Sequence, residues 1–216
     1  MNIVKKLIVI VAFIAASVLS ACAQNNTEFK IFLELFPKRE YPLNLSYEDD
    51  SAWEINTPNI PDTLYEKFVF QQEYFIIRER EKICFSGFLA FGIFSTKKEY
   101  IKLLIGKDSE VSGCGEETWL VTYTPQGEII DVLFVFGRST NYDSSEEIIP
   151  FRVESEITAE SITVKRRETI DSLVRVDERT TKSTFNVFLK IYRISEEGKF
   201  ILESEEVKYE ENYRRR

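Results

Sequence analysis

Three aromatic residues in a polar segment are the first candidates for chemistry. Tyr41, Tyr47 and Trp53 lie within residues 41–62, a stretch that also contains two adjacent aspartates. Aromatic faces beside carboxylates are suited to binding a sugar or a peptide, and long loops often carry binding residues. The alternative is that these rings hold the loop down over the hydrophobic core. The pattern therefore predicts Tyr41, Tyr47 and Trp53 as ligand contacts or as loop anchors.

The sequence contains no histidine, which limits the catalytic mechanisms that this chain can use. This absence excludes Ser-His-Asp and Cys-His nucleophiles, histidine-ligated zinc and a near-neutral imidazole base. The chain has no G-x-S-x-G, no phosphate-binding glycine loop and no Cys-x-x-Cys, and the single Gly137-Arg138 pair indicates no phosphate site by itself. Two carboxylates could still serve a glycoside hydrolase, but 36 acidic residues offer no basis for choosing a pair. We predict no catalytic residue and no cofactor.

Two acidic segments are candidate metal sites. Residues 141–147 (NYDSSEE) place oxygen ligands at close spacing, but they lack the glycine and the ligand order of a calcium-binding loop. A second segment contains Asp108, Glu110, Glu116 and Glu117. Both are predicted to be solvated turns, so no metal site is expected.

Cys84 and Cys114 are two cysteines within the body of the chain. In an oxidising compartment such a pair could form a disulfide, which would stabilise the fold by about 3 to 4 kcal/mol. The alternative is two separate thiols, with Cys84 in an apolar strand and Cys114 in a glycine-flanked loop. Spacing alone does not decide between them, because a disulfide requires a specific geometry.

The first 21 residues have the three-part form of a secretory signal. Two lysines precede an uncharged apolar run over residues 7–16, and small residues follow. The apolar run is too short to cross ~30 Å of hydrocarbon, which needs about 20 residues. We therefore interpret the segment as a removable signal, in preference to a lasting transmembrane helix.

The signal ends in Leu19-Ser20-Ala21-Cys22, which resembles the lipobox of bacterial lipoproteins. The resemblance implies diacylglyceryl transfer to the Cys22 sulfur, cleavage before Cys22 and fatty acylation, for example with palmitate, of the new amino terminus. Two or more acyl chains anchor a protein stably, at ~0.8 kcal/mol per buried methylene. Because Ala23 and not aspartate follows the cysteine, the resemblance implies the outer membrane, at its periplasmic face. The alternative is an ordinary signal with an unmodified Cys22.

The charge of the remaining chain limits its partners. The whole chain has 28 basic and 36 acidic residues, and removal of the two signal lysines brings the net charge to −10. Such an acidic body argues against nucleic acid and against broad adhesion to anionic lipid. The expected partners are the membrane, through the lipid on Cys22, and an envelope protein or glycan. The oligomeric state stays open.

Periodicity predicts one clear helix before a series of strands. Residues 28–36 have Phe29, Phe32, Leu33 and Phe36 at helical spacing, and Pro37 ends the helix. A second helical turn is predicted from Pro61. Strands are then expected over the segments 74–78, 83–94, 100–105, 119–124, 129–136, 148–153, 162–165, 170–176, 185–194 and 200–207.

About nine short strands with turns between them predict a mainly β fold. We expect an antiparallel sandwich, barrel or curved meander with a short N-terminal helix. The domain organisation is a signal peptide over 1–21, a lipidated tether over 22–27, a single β-rich domain over 28–208 and a frayed charged tail over 209–216.

The leading hypothesis for function is a membrane-anchored, non-enzymatic envelope lipoprotein that binds a protein or another envelope component. One alternative is a β-cup that binds a lipid or glycan with Tyr41, Tyr47 and Trp53 at its mouth. Others are a carboxylate-based polysaccharide hydrolase and an inhibitor of a basic toxin.

Overall fold

The computed structural model describes residues 26–47, 57–70, 87–96, 98–108, 117–139, 151–175 and 180–215. These residues form helix α1 (26–34), helix α2 (Asp62–Phe68) and eleven strands in one sheet. The strands are β1 (Lys38–Arg39), β2 (Leu43–Leu45), β3 (Asn59–Ile60), β4 (Gly87–Phe94), β5 (Ile101–Asp108), β6 (Glu117–Tyr123), β7 (Ile129–Ser139), β8 (Phe151–Ile157), β9 (Ser161–Arg175), β10 (Thr180–Ile194) and β11 (Phe200–Arg215).

The sheet is a long antiparallel meander, in which β4 to β11 lie side by side in chain order. β1 adds to the outside of β4 in parallel, β3 pairs with β4, and β2 pairs with β8. The prediction of a mainly β fold with a short N-terminal helix is confirmed, and the curved meander is the form observed. In the described ranges neither helix is long and apolar enough to cross a membrane.

Helix α1 packs its phenylalanine face on the sheet. Phe29, Phe32 and Phe36 are buried, as the helical spacing predicted, although the helix spans 26–34 and not 28–36. The predicted second helical turn is α2, which follows Pro61 and buries Phe68. Both helices cover one face of β4 to β7, where they form the helix-side core. This core is a cluster of aromatic and aliphatic side chains that includes Phe32, Phe68, Phe88, Leu103, Val121 and Tyr123.

The opposite face of β4 to β7 is covered by the remainder of the same sheet. The curved sheet brings β2 and parts of β8 to β11 against this face, which forms the return-side core. Its members include Leu45, Phe94, Leu104, Leu120, Phe136, Val153 and Ile162. Because both faces of the central strands are buried, apolar residues occur on both faces of these strands.

Glycines occupy one turn and one bulge of the central strands. Gly127 has a φ of 87° in the turn between β6 and β7, where left-handed backbone favours glycine. An added Cβ there would lie 2.7 Å from the Phe29 ring, so the turn also makes room for α1. The β4–β5 register shifts between Ala90 and Gly92, which is typical of a β-bulge.

Two predictions about the C-terminal half are wrong. Residues 162–165 and 170–176 were expected to be separate strands, whereas β9 runs without a break over Ser161–Arg175. The predicted frayed tail also belongs to a strand through residue 215, because β11 pairs with β10 along its length. The charged residues that suggested a tail form cross-strand ion pairs, such as Lys182 with Glu211 at 2.5 Å.

Several predicted features lie outside the described residues. They are the signal and lipobox with Cys22, the strand over 74–78, the cysteines Cys84 and Cys114, the aromatic residue Trp53 and the acidic segment 141–147. The predictions for these residues stay predictions.

Candidate functional site

Tyr41 and Tyr47, two of the three predicted ligand contacts, pack against phenylalanines of the return-side core. The Tyr41 ring stacks on Phe94 with centroids 4.9 Å apart, and the Tyr47 ring lies 4.5 Å from that of Phe136. Both rings therefore contribute to the packing of the return-side core. Each ring also has a cation over its face, and these two cation sites are the strongest candidates for function.

The site at Tyr47 is built by strand register. Arg138 on β7 is directly opposite Arg152 on β8, and Arg152 is directly opposite Arg167 on β9. We call these three residues the arginine row. Directly opposite residues point to the same face of a sheet, so the row places three arginines on one face of three neighbouring strands, whose backbones lie ~4.8 Å apart. Since like charges in opposite positions destabilise a sheet, the row needs compensation from its surroundings.

Tyr47 and Glu154 supply part of that compensation. The Arg152 guanidinium carbon lies 3.8 Å from the centre of the Tyr47 ring, and that of Arg138 lies 5.8 Å from it. The Glu154 carboxylate forms an ion pair with Arg152 at 3.0 Å and accepts a hydrogen bond from the Tyr47 backbone N–H at 3.2 Å. Glu154 therefore joins the Tyr47 backbone to Arg152, whose guanidinium lies over the Tyr47 ring at a cation–π distance.

Arg167, the third arginine of the row, is held in place by a carboxylate on β11. Arg167 donates to Glu210 of β11 at 2.9 Å, and Lys165 lies 3.8 Å from the same carboxylate. The side chains of Arg152 and Arg167 keep 40% and 28% of their surface exposed, so a ligand can reach them. Each guanidinium carries five N–H donors, more than one carboxylate satisfies. The row can therefore bind additional anionic oxygen atoms.

The site at Tyr41 contains a buried amine. Lys102 is 1% exposed, and its Nζ lies 4.9 Å from the centre of the Tyr41 ring and 5.9 Å from that of Phe94. Burial lowers the pKa of Lys102 to about 8. Burial likewise raises the pKa of Tyr41, and the Tyr41 hydroxyl has no hydrogen-bond partner within the described ranges. Burial of a charged amine costs free energy, and proteins can use such amines as nucleophiles.

Asp131 is the carboxylate nearest to Lys102 along the strand register, and its role is structural. The register places Lys102 beside Thr122, and Thr122 beside Asp131. The Thr122 hydroxyl donates to the Gly198 carbonyl at 2.7 Å, and Asp131 accepts from the Phe200 N–H at 2.8 Å. These two bonds fasten the β10–β11 turn to the central strands, so this polar row is structural.

The structure gives less support to the other predicted functions, which are a ligand pocket at the aromatic residues, a pair of catalytic carboxylates and a metal site. A groove of about 410 Å³ lies between α1 and β1, but Lys30, Leu33, Glu34, Phe36, Lys38 and Ile93 line it, and neither Tyr41 nor Tyr47 does. Glu197 and Glu211 are carboxylates whose pKa is shifted, and in both the pKa is lowered by hydrogen bonds, whereas a catalytic acid needs a raised pKa. Over the part of the chain that is described, no three acidic or cysteine side chains are grouped to hold a metal ion.

Sequence reasoning missed both cation sites. The row depends on register between strands that are distant in sequence, and Gly137-Arg138 by itself carried no signal. The pair Arg166-Arg167 within a β pattern was the available sign. Lys102 alternates with Ile101 and Leu103, a pattern that indicates a solvated face, but the returning sheet covers this face.

The chain matches no protein-family model, no curated protein and no solved structure.

Proposed function

We propose that this protein is a non-enzymatic, lipid-anchored envelope lipoprotein that binds an acidic glycan through the arginine row. The observation that carries the proposal is the register of Arg138, Arg152 and Arg167 on three neighbouring strands, in a chain whose net charge is −8. Three like charges in opposite positions destabilise the sheet, and a bound anionic ligand would offset that repulsion. Arginine suits this role because its planar fork binds carboxylate, sulfate or phosphate oxygens in pairs.

A linear polyanion suits the arrangement better than a single small ion. The three arginines follow one another across strands that lie ~4.8 Å apart, so a ligand with successive negative charges would lie perpendicular to the strands. The Tyr47 ring beneath Arg152 and Arg138 restricts the motion of both side chains, which lowers the entropy lost on binding. An acidic envelope glycan has the required repeated charge and extended shape.

The anchor explains where such binding would occur. The lipobox resemblance places two or more acyl chains on Cys22, and α1 begins at residue 26, four positions later. With so short a tether the sheet would stay close to the bilayer. We accordingly propose attachment to the outer membrane at its periplasmic face, where envelope glycans are within reach.

The binding proposal is tested with an Arg152→Gln variant of the full-length protein in mild detergent. Heparin, a linear sulfated glycan, serves as the probe and neutral dextran as the control ligand. We expect the native chain to bind heparin, with an affinity that falls as salt rises, because polyanion binding releases counterions. Loss of one charge-assisted contact should weaken binding about tenfold, measured by titration calorimetry.

The matched control is Arg193→Gln, which removes the same charge from an exposed arginine of β10 that pairs with Glu203 at 3.0 Å. This variant should bind heparin within about twofold of the native protein, since its charge lies outside the row. Equal losses in the two variants would mean that net charge and not the row controls binding. Absence of any heparin binding by the native chain would refute the proposal.

Lipid anchoring is tested separately by labelling cells with a clickable fatty acid. We expect the native chain to take up label and to fractionate with membranes, and we expect a Cys22→Ser chain to do neither, because the serine oxygen does not accept the diacylglyceryl group. Equal labelling of both chains, or a native chain in the cytosol, would contradict the lipoprotein assignment without bearing on glycan binding.

A further inference from the structure

The outer edge of β11 is a long strand edge with apolar and aromatic side chains beside it. Among the described strands, β11 pairs only with β10, and its 16 residues leave one side open. Val207, Tyr209 and Tyr213 alternate along one face of this strand and are 57%, 60% and 59% exposed. An open edge of this length, with unpaired backbone N–H and C=O groups, is a template for another strand.

The side chains along this edge are held in ordered positions. The Tyr209 and Tyr213 hydroxyls donate to Glu211 at 3.3 Å and 2.8 Å, and Glu211 pairs with Lys182 of β10. The stripe is therefore a formed surface, stabilised along its own strand and across to β10. Aromatic residues in such a position are typical of interaction surfaces.

The order of charges along β11 is self-complementary. The first half of the strand carries the acids Glu205 and Glu206, which also pair within the chain with Lys190 and Lys208, and the strand ends with Arg214 and Arg215. An antiparallel pairing of two identical strands places the beginning of each against the end of the other. Each acidic half would then lie opposite an arginine end, twice in the assembly, as a two-fold interface requires.

We propose that β11 pairs antiparallel with β11 of a second copy of this chain, about a two-fold axis at Glu210. This register places Val207 opposite the partner's Tyr213 on one face. It also places Glu205 and Glu206 opposite the partner's Arg215 and the partner's Arg214. Glu210 meets its own copy at the axis, but its charge is already balanced within its chain by Arg167 and Lys165. The dimer continues the sheet from one copy into the next.

The homodimer is tested in cells by photo-crosslinking of the full-length chain. A benzophenone amino acid at Val207 should give a crosslinked species of twice the chain mass. The same amino acid at Ile170, which is 50% exposed on β9 and away from the edge, should give none. Failure to crosslink from Val207, or a product with a protein of different mass, would overturn the proposal.

Charge exchange tests the register independently of folding. The double variant Glu205→Arg/Glu206→Arg should lower the yield of crosslinked dimer at least tenfold, and Arg214→Glu/Arg215→Glu should do the same, because each creates like charges in opposite positions. The chain that carries all four changes restores the opposite charges and should recover most of the dimer. If the fourfold variant stays monomeric while it remains folded by circular dichroism, the proposed register is wrong.

Discussion

Replacement of Lys102 with methionine is expected to raise the free energy of unfolding by about 2 kcal/mol at pH 7. The buried amine has a pKa of about 8, against 10.5 ordinarily, so the folded chain bears the cost of desolvating a charge at neutral pH. That shift corresponds to about 3 kcal/mol, and loss of the cation–π contacts with Tyr41 and Phe94 offsets part of the gain. Methionine keeps the length and the packing of the side chain.

The pH dependence gives the sign of this effect. Below pH 8 the amine is charged in both the folded and the unfolded chain, so the full cost is present. As the pH rises from about 8 toward 10.5 the folded chain releases the proton first, and the native protein gains stability. The Lys102→Met chain lacks this gain. The raised pKa values of Tyr41 and Tyr123 act in the opposite direction above about pH 10, so the two chains are best compared at lower pH.

The measurement is urea unfolding of both chains at intervals between pH 7 and pH 9.5. The control is Lys199→Met, which changes an exposed lysine in the β10–β11 turn and should stay within about 0.5 kcal/mol of the native chain. A Lys102→Met chain that is less stable than the native protein, with an unchanged pH profile, would mean that the amine is charged and well solvated in the fold.

Replacement of Phe32 with alanine has the largest expected effect on stability. Phe32 is fully buried, and its ring lies 5.1 Å from each of Phe36 and Phe68 and 6.1 Å from Tyr123. Truncation of a phenylalanine in such a core costs about 3 to 5 kcal/mol, since the cavity is only partly refilled. We expect α1 to detach from the sheet before the strands unfold, because this ring joins the helix to α2 and β6.

Limited proteolysis together with urea unfolding measures that effect. The Phe32→Ala chain should be cut near α1 well before the native chain, and its unfolding midpoint should fall. The neighbouring Ile31→Ala variant removes an exposed side chain of the same helix and should behave as the native chain does. Equal sensitivity of the two variants would contradict the docking of α1 through Phe32.

The sequence was most informative where a pattern is local. Helix α1 was predicted from phenylalanines at helical spacing, and β6 and β7 were predicted from the segments 119–124 and 129–136. The charged end of β11 was misread because polar residues suit a solvated tail as well as an edge strand. What distinguishes the two is pairing with β10, which is a contact between segments and not a property of either one.

The candidate sites required knowledge that no local pattern contains. Arg138, Arg152 and Arg167 become neighbours only when the registers of two strand pairs are known. Lys102 occupies the polar position of an alternating strand, yet the meander curves back over that face and buries it. Tyr47 was a candidate from its type and loop position, but the stacking of Arg152 on its ring depends on where the loop meets β8.

The parallel pairing of β1 with β4 has a consequence for biogenesis. Lys38 pairs with Ile93, so β1 has no strand to join until residues some fifty positions later have been made. A nascent chain appears from its N-terminus, and α1 with its phenylalanine face therefore precedes the surface that will cover it. During that interval the hydrophobic face of α1 is exposed to solvent and prone to aggregation. The newborn polypeptide should consequently require a holding chaperone until the central strands emerge.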